Sequence, residues 1–464
     1  MLHHSGFPSL VGLERRFFVI ARCILTALLW TSYFSGCSIL PGTSPAGSND
    51  HVFIDYWPSR EKSSRLRLAV KDNIDIKGVV TTAGSEYIAK TSTPAKSDAE
   101  CLAIARERNA RIVGKTNLSE FAVAPSGIND YFGTPKNPLS ERDRLIPGGS
   151  SSGSAVAIAN GSADVAFGTD TCGSIRVPAA CCGIVGLKTT FGLVSLKGVF
   201  PIEPKHLDTV GPMAKDIDHV VQGMDLLQNG FASRYNAAVA SRPFARSIKI
   251  GRLYLSGTNQ RVDKAIDRAL SRTGFQIFPL DQSFKAEWDR AKNDGDIVAA
   301  SGAWISDQKY FNKPVGVSTR TKAILALGEI DYTTTYQNAL HRRAAWQGAL
   351  HRVFQKVDFI ALPTLQKLPP KNPLVTELVR GIFEAQMLGV QNTAAVNFAG
   401  NPGLAIPVAV DDEAVPVTSL QLVGPLRSEA QLLNAGRLIE ARQPHRNRRV
   451  FPPNQSSLNS NSSL

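Results

Sequence analysis

Cysteine, histidine and methionine are scarce in this 464-residue chain, at six, eight and four residues. Cys23 and Cys37 fall in an N-terminal stretch, apart from Cys101, Cys172, Cys181 and Cys182, and no spacing among them matches a zinc site. Neither a metal nor a cofactor is therefore expected. The histidines lie outside the Gly/Ser-rich turns of the chain, so a Ser–His–Asp relay would lack its base. No apolar run is long enough to cross a bilayer comfortably; the best candidate, residues 23–34, is too short. Lys and Arg outnumber Asp and Glu by 52 to 39, a formal charge of +13, yet no Lys/Arg-rich recognition helix appears. The basic clusters sit towards the ends, at Arg15, Arg16 and Arg22 and in residues 442–449. Nucleic acid is thus not expected as a partner, and an anionic membrane surface fits the charge better. Internal repeats are absent as well.

What is present is a chain with 43% hydrophobic residues, enough to bury a large core. Residues 145–191 read LIPGGSSSGSAVAIANGSADVAFGTDTCGSIRVPAACCGIVGLKTTF. Two Gly/Ser-rich turns, 148–154 and 169–174, flank small and apolar residues that predict a helix over 153–160 and a buried strand over 163–168. A linker would not carry AVAIA, DVAF and GIVGL between its glycines. Serines on tight turns rich in backbone N–H groups suit acyl transfer. Adjacent Cys181 and Cys182 lie in an apolar run and are expected as small core residues. Around this block, strand and helix patterns alternate. Strands are expected at 66–70, 110–113, 247–254, 275–280 and 357–362, and helices at 97–109, 216–227 and 262–272. Residues 296–350 read as mainly helical. This alternation predicts an α/β fold with helices on a mostly parallel or mixed sheet.

GGSSSGSAVA followed by GTDTCGSIRVPAACCGIVGLK resembles the signature region of the amidase signature family. LAVKDNIDIKGVVTTAGS, ARIVGKTNLSEFA, LDTVGPMAKDI, ALPT, NFAGNPGLAIPV and LQLVGPLRSEAQLL follow in the family's order, so the resemblance covers residues 51–442. It implies a single catalytic domain with a mixed sheet covered by helices on both faces. It also implies hydrolysis of a small-molecule carboxamide through a serine acyl-enzyme. By motif, Ser174 would be the nucleophile, Ser150 the bridging serine and Lys71 the base; Ser151 is the rival for the bridge. Ser150 and Ser174 stand 24 positions apart, the separation expected of these motif serines. The backbone N–H groups of Thr171, Cys172, Gly173 and Ser174 would form the oxyanion hole, with Asp170 and Arg176 bracing the loop. The peptide between Gly149 and Ser150 is expected to be cis. The A subunit of a glutamyl-tRNA amidotransferase, cytoplasmic and with partner subunits, is an alternative because its motifs are similar. A catalytically silent scaffold is a second one, and a homodimer is compatible with either.

The chemistry gives these roles a physical basis. A serine hydroxyl needs a base to remove its proton during attack. A lysine can serve near neutrality only if its charged form is penalised, and apolar Leu68, Ala69, Val70 and Ile74 around Lys71 suggest a desolvated site. Ser152 and Cys172 stand where the family usually has glycine, and Thr189 where it has proline. Cys172 matters most, because a Cβ restricts φ beside the nucleophile.

Outside the catalytic region, Arg15 and Arg16 precede the short apolar run, and Phe34-Ser35-Gly36-Cys37 resembles a bacterial lipobox. The expected organisation is a lipoprotein-type signal segment over 1–37 with Cys37 lipidated, a tether over 38–50, the catalytic domain over 51–453 and a disordered tail over 454–464. That arrangement would anchor the protein to the membrane of a bacterial cell envelope.

Overall fold

The sequence alternation resolves into one mixed sheet. The computed structural model describes residues 51–57, 65–139, 144–373, 377–412 and 415–443. The proposed leader, Cys37, the tether and the tail lie outside them. Eleven strands are present among the described residues: β1 (Phe53–Tyr56), β2 (Arg67–Lys71), β3 (Arg111–Thr116), β4 (Val165–Asp170), β5 (Val185–Lys188), β6 (Thr209–Ala214), β7 (Lys249–Arg252), β8 (Gln276–Pro279), β9 (Phe359–Pro363), β10 (Gly403–Ala409) and β11 (Val417–Val423). Their order is β1-β3-β2-β4-β6-β5-β10-β11-β9-β7-β8. The expected mixed α/β architecture is what the structure has.

The sheet register sets up the site. β2 runs parallel to β4, with Leu68 opposite Val165 and Val70 opposite Phe167. Parallel strands end on the same side, so Lys71 and Asp170 emerge together at the C-terminal ends of these two central strands. All six residues of β4 are buried, as a strand covered on both faces requires. The helix expected over 153–160 is Ser152–Ala159, and every residue in it is buried. Its small side chains let it approach β1: a Cβ on Gly153 would lie 2.3 Å from the Val52 carbonyl oxygen.

Two local expectations differ from the structure. The helix expected over 97–109 is only Ala103–Glu107, preceded by a 3-10 turn at Glu100–Leu102. The largely helical stretch begins well before residue 296, as a helix spanning Gln282–Phe311 capped by Asp281, whose side chain accepts the Phe284 N–H. Asn293-Asp294-Gly295 reads as a turn in isolation. In the fold, Asp294 is buried and pairs with Arg342 at 2.8 Å, and a Cβ on Gly295 would sit 2.8 Å from the Ala394 carbonyl oxygen. Tertiary packing overrides the local signal there. Helices Thr319–Thr334 and Tyr336–Phe354 follow it. No helix among the described residues is long and apolar enough to cross a membrane.

Close packing around Gly153 yields a stability prediction. Gly153→Ala forces a methyl into backbone and should destabilise by about 3 kcal/mol, at the upper end of overpacking effects. Gly381→Ala, in a helix where no described atom beyond its own helix backbone and chain neighbours lies within 4 Å of the added Cβ, should instead stabilise by up to about 1 kcal/mol. Urea denaturation of the two variants checks the difference in sign.

Candidate active site

At the C-terminal ends of β2 and β4, the Lys71 ammonium is fully buried and donates hydrogen bonds to Ser150 Oγ at 2.7 Å and Thr169 Oγ1 at 2.8 Å. Asn73 Nδ2 donates to the same Thr169 oxygen at 3.0 Å. Burial pushes the Lys71 pKa down, against the attraction of Asp170 and Asp208, to about 7. Leu68, Ala69, Val70 and Ile74 are completely buried, which supplies the desolvation expected from the sequence.

Ser150, not its neighbour, meets the lysine. The Gly149–Ser150 peptide is cis, as the resemblance implied. The Ser151 hydroxyl instead points to the Thr169 carbonyl oxygen at 3.3 Å. Ser151 N–H also donates to the Ser174 carbonyl at 3.2 Å, which ties the two serine-bearing turns together. Ser174 sits in the turn between β4 and helix Arg176–Cys182 and is half-buried.

The demand for a left-handed backbone beside Ser174 falls on Gly173, at φ 135°, and Cys172 is not among the positive-φ residues. A Cβ on Gly173 would lie 2.3 Å from Thr393 Oγ1, so glycine is required there. Cys172 therefore fits without the backbone restriction anticipated for it. One expected oxyanion donor is otherwise engaged: Gly173 N–H donates to Asp170 Oδ1 at 2.8 Å. Thr171, Cys172 and Ser174 are the remaining candidates.

Asp170 and Arg176 hold this turn from behind, both fully buried. Arg176 Nη2 and Nε reach the two Asp170 oxygens at 2.9 and 3.1 Å, and Ile175 N–H adds a bond at 3.1 Å. Burial alone would raise the Asp170 pKa, but the Arg176 guanidinium, with Lys188 and Asn397, brings it to about 2. Arg176 also bonds Gln421 Oε1 at 2.7 Å and the Asn397 side-chain oxygen. These partners belong to LQLVG and NFAGNPG, so two remote motifs serve the same buried cation. Asp72, next to the lysine, pairs with buried Lys115 at 3.0 Å. Thr169, Asn73, Lys115, Asn397 and Gln421 were not singled out from sequence, although each lies in a motif or turn that was.

A narrow cleft of about 90 Å³ opens over Ser174. Gly149 and residues 171–174 form one side, and residues 122–125 rise beside them. Ala299, Ala300 and Ala303 of the long helix face them, with Leu388 and Gln391 further along. The 296–340 and 374–392 regions contribute, and so does the 122–125 loop, although nothing in its sequence marks it as a wall. Cys101, Cys172, Cys181 and Cys182 are free thiols, and Cys181 and Cys182 pack in the core. His206 braces a loop through Glu203 Oε1, 2.9 Å away.

A mixed α/β sheet carrying this buried lysine–serine contact beneath an open cleft defines an amide hydrolase. The Amidase family model matches residues 66–433, and the chain belongs to that family, the amidase signature enzymes. The glutamyl-tRNA(Gln) amidotransferase A subunit of Halobacterium salinarum is 31% identical over 411 residues, covering 80% of this chain and 94% of that protein. The 2-amino-5-chloromuconic acid deaminase of Comamonas testosteroni is 31% identical over 395 residues, 81% of each chain. Among solved structures, an amidase superposes with TM-score 0.67 at 26% identity, covering 82% of this chain and 85% of that one. The glutamyl-tRNA(Gln) amidotransferase A subunit of Thermotoga maritima gives TM-score 0.70 at 24% identity over 85% and 88%.

Breaking the Asp170–Arg176 pair strands a buried charge. Arg176→Met should therefore destabilise by about 3–5 kcal/mol. Asp170 is held below its unfolded value, so its contribution is present above pH ~4 and is lost as pH falls towards 2. Thermal unfolding of wild type and variant at pH 7 should show the full difference. A loss below about 1 kcal/mol would mean that the pair does not hold the turn.

Proposed function

We propose that this amide hydrolase works through an acyl-enzyme on Ser174, with Ser150 as proton relay and Lys71 as general base. The observation that carries the reading is the 2.7 Å contact between Ser150 and a buried Lys71 whose pKa lies near 7. Neutral Lys71 takes the Ser150 proton while Ser150 takes that of Ser174, and Ser174 Oγ attacks the amide carbonyl. The oxyanion that forms accepts hydrogen bonds from the backbone N–H groups of Thr171, Cys172 and Ser174. Each such donor is worth about 3–4 kcal/mol in a water-poor site. On collapse the proton returns through Ser150 to the departing nitrogen as the C–N bond breaks. Water, deprotonated by the same relay, then cleaves the ester and releases the carboxylate. Asp170 and Arg176 act by positioning the turn.

Similarity to the amidotransferase A subunits supports a second reading, in which the chain acts on glutamine as part of an amidotransferase with partner subunits. The two readings share this chemistry and differ in substrate.

Ser174→Ala should reduce amide turnover to background and abolish labelling by a fluorophosphonate. Ser150→Ala and Lys71→Ala should lower kcat by about 10²–10⁴-fold, the usual range for proton-transfer catalysis, with residual labelling in Ser150→Ala. Protonated Lys71 cannot accept a proton, so kcat/KM of the wild type should rise with pH through about 7 and then level off. A Lys71→Ala enzyme that keeps near-normal rates and the same pH profile would refute the assignment of the base.

A further inference from the structure

The cleft over Ser174 is walled largely by alanine, valine, isoleucine, leucine and proline side chains. Asp296 is the one carboxylate among its described lining residues, and no lysine or arginine lines it among them. Asp296 projects from helix Gln282–Phe311 with its side chain 20% exposed. Its Oδ1 accepts from Cys172 Sγ at 3.2 Å, and its Oδ2 lies 3.3 Å from Lys292 Nζ. Lys292 Nζ also donates to the Leu388 carbonyl oxygen at 3.2 Å. A carboxylate offers about four acceptor directions, so two contacts leave Asp296 able to accept from a guest. Gln391 lines the same cleft, is 2% exposed, and its amide nitrogen meets no acceptor among the described residues. A buried donor without a partner is unfavourable until something fills that need.

Resting on the amidase reading of this site, we propose that Asp296 and Gln391 determine specificity. They select carboxamides with a compact apolar acyl part and an uncharged polar end, and they reject amides that carry a free carboxylate, glutamine included. Gln391 offers an N–H and Asp296 an acceptor, the complement of a second amide group. A substrate carboxylate would meet the Asp296 charge between apolar walls, where like charges repel; no cation is among the described lining residues, and the nearby Lys292 is already engaged by Asp296 and the Leu388 carbonyl. The Cys172 thiol contributes by fixing the Asp296 carboxylate beside the nucleophile turn.

The test compares kcat/KM for butyramide, succinamide, succinamate and glutamine on the full chain, with fluorophosphonate labelling of Ser174 reporting that the site is assembled. Wild type should favour succinamide over succinamate by at least about a hundredfold. Asp296→Asn removes the repelling charge and leaves Lys292 unpaired. It should shrink that ratio by about tenfold or more, the size of one hydrogen bond to a charged group. Gln391→Ala should lower kcat/KM for succinamide about tenfold more than for butyramide. Ready hydrolysis of succinamate or glutamine by labelled wild-type enzyme overturns the selectivity alone, as does an unchanged ratio in labelled Asp296→Asn. Absence of both labelling and hydrolysis of every amide overturns the amidase reading, and this proposal with it.

Discussion

The constraint on which the site depends is the placement of an amine where water cannot reach it. Lys71 is completely buried, and burial is the largest influence on its titration. An ammonium there would need either a carboxylate against it or a supply of acceptors, and a carboxylate in contact would restore the ordinary lysine pKa. The fold avoids that. Two hydroxyls, Ser150 and Thr169, contact the nitrogen, while Asp170 is drawn to Arg176 and Asp208 accepts from Thr171 at 2.7 Å and from the backbone of Ile202 and Glu203.

Other buried charges nearby are arranged to keep this separation. Asp170 has Arg176, and Asp72 has Lys115. Lys188 is buried and donates to the Thr189 and Asn401 carbonyls, each at 2.8 Å, and its pKa is also brought down to about 7, first by burial and then by Arg176. Chain segments far apart in sequence meet on these groups: besides nearby Asp170, Arg176 touches two remote ones, through Thr393 and Asn397 and through Gln421. A set of buried ions held this way specifies geometry more than it adds stability, since removing one partner strands the other. The rigid turn bearing Ser174 is the product.

Much of this was legible in the sequence, for identifiable reasons. Apolar runs with glycine punctuation mark β2, β4 and helix Ser152–Ala159, because strands and helices buried all round leave no polar residues to blur the pattern. The pairing of Lys71 with Ser150 followed from resemblance of motifs, since composition alone cannot choose between Ser150 and Ser151. Less legible were features set by long-range packing. The NDGD stretch inside helix Gln282–Phe311 looks like a turn until Arg342 and the Ala394 carbonyl are brought against it. The diversion of Gly173 N–H to Asp170 could not be read either, because a turn rich in N–H groups does not reveal which ones face inward. The contact of Asp296 with Cys172 joins positions 124 residues apart, which no local pattern reveals.

The charge state of Lys71 in the folded protein decides whether this relay can operate. Titration of lysine side-chain nitrogens by ¹⁵N NMR reads it directly, with Lys71→Ala assigning the resonance. Lys188, the other buried lysine expected in the same range, remains visible in that variant as an internal reference. Lys71 should titrate with a midpoint at about 7, so that the amine is largely neutral just above neutrality. A midpoint near the ordinary lysine value of about 10.4 would contradict the relay, because the amine would then hold its proton throughout the range in which Ser150 must give one up.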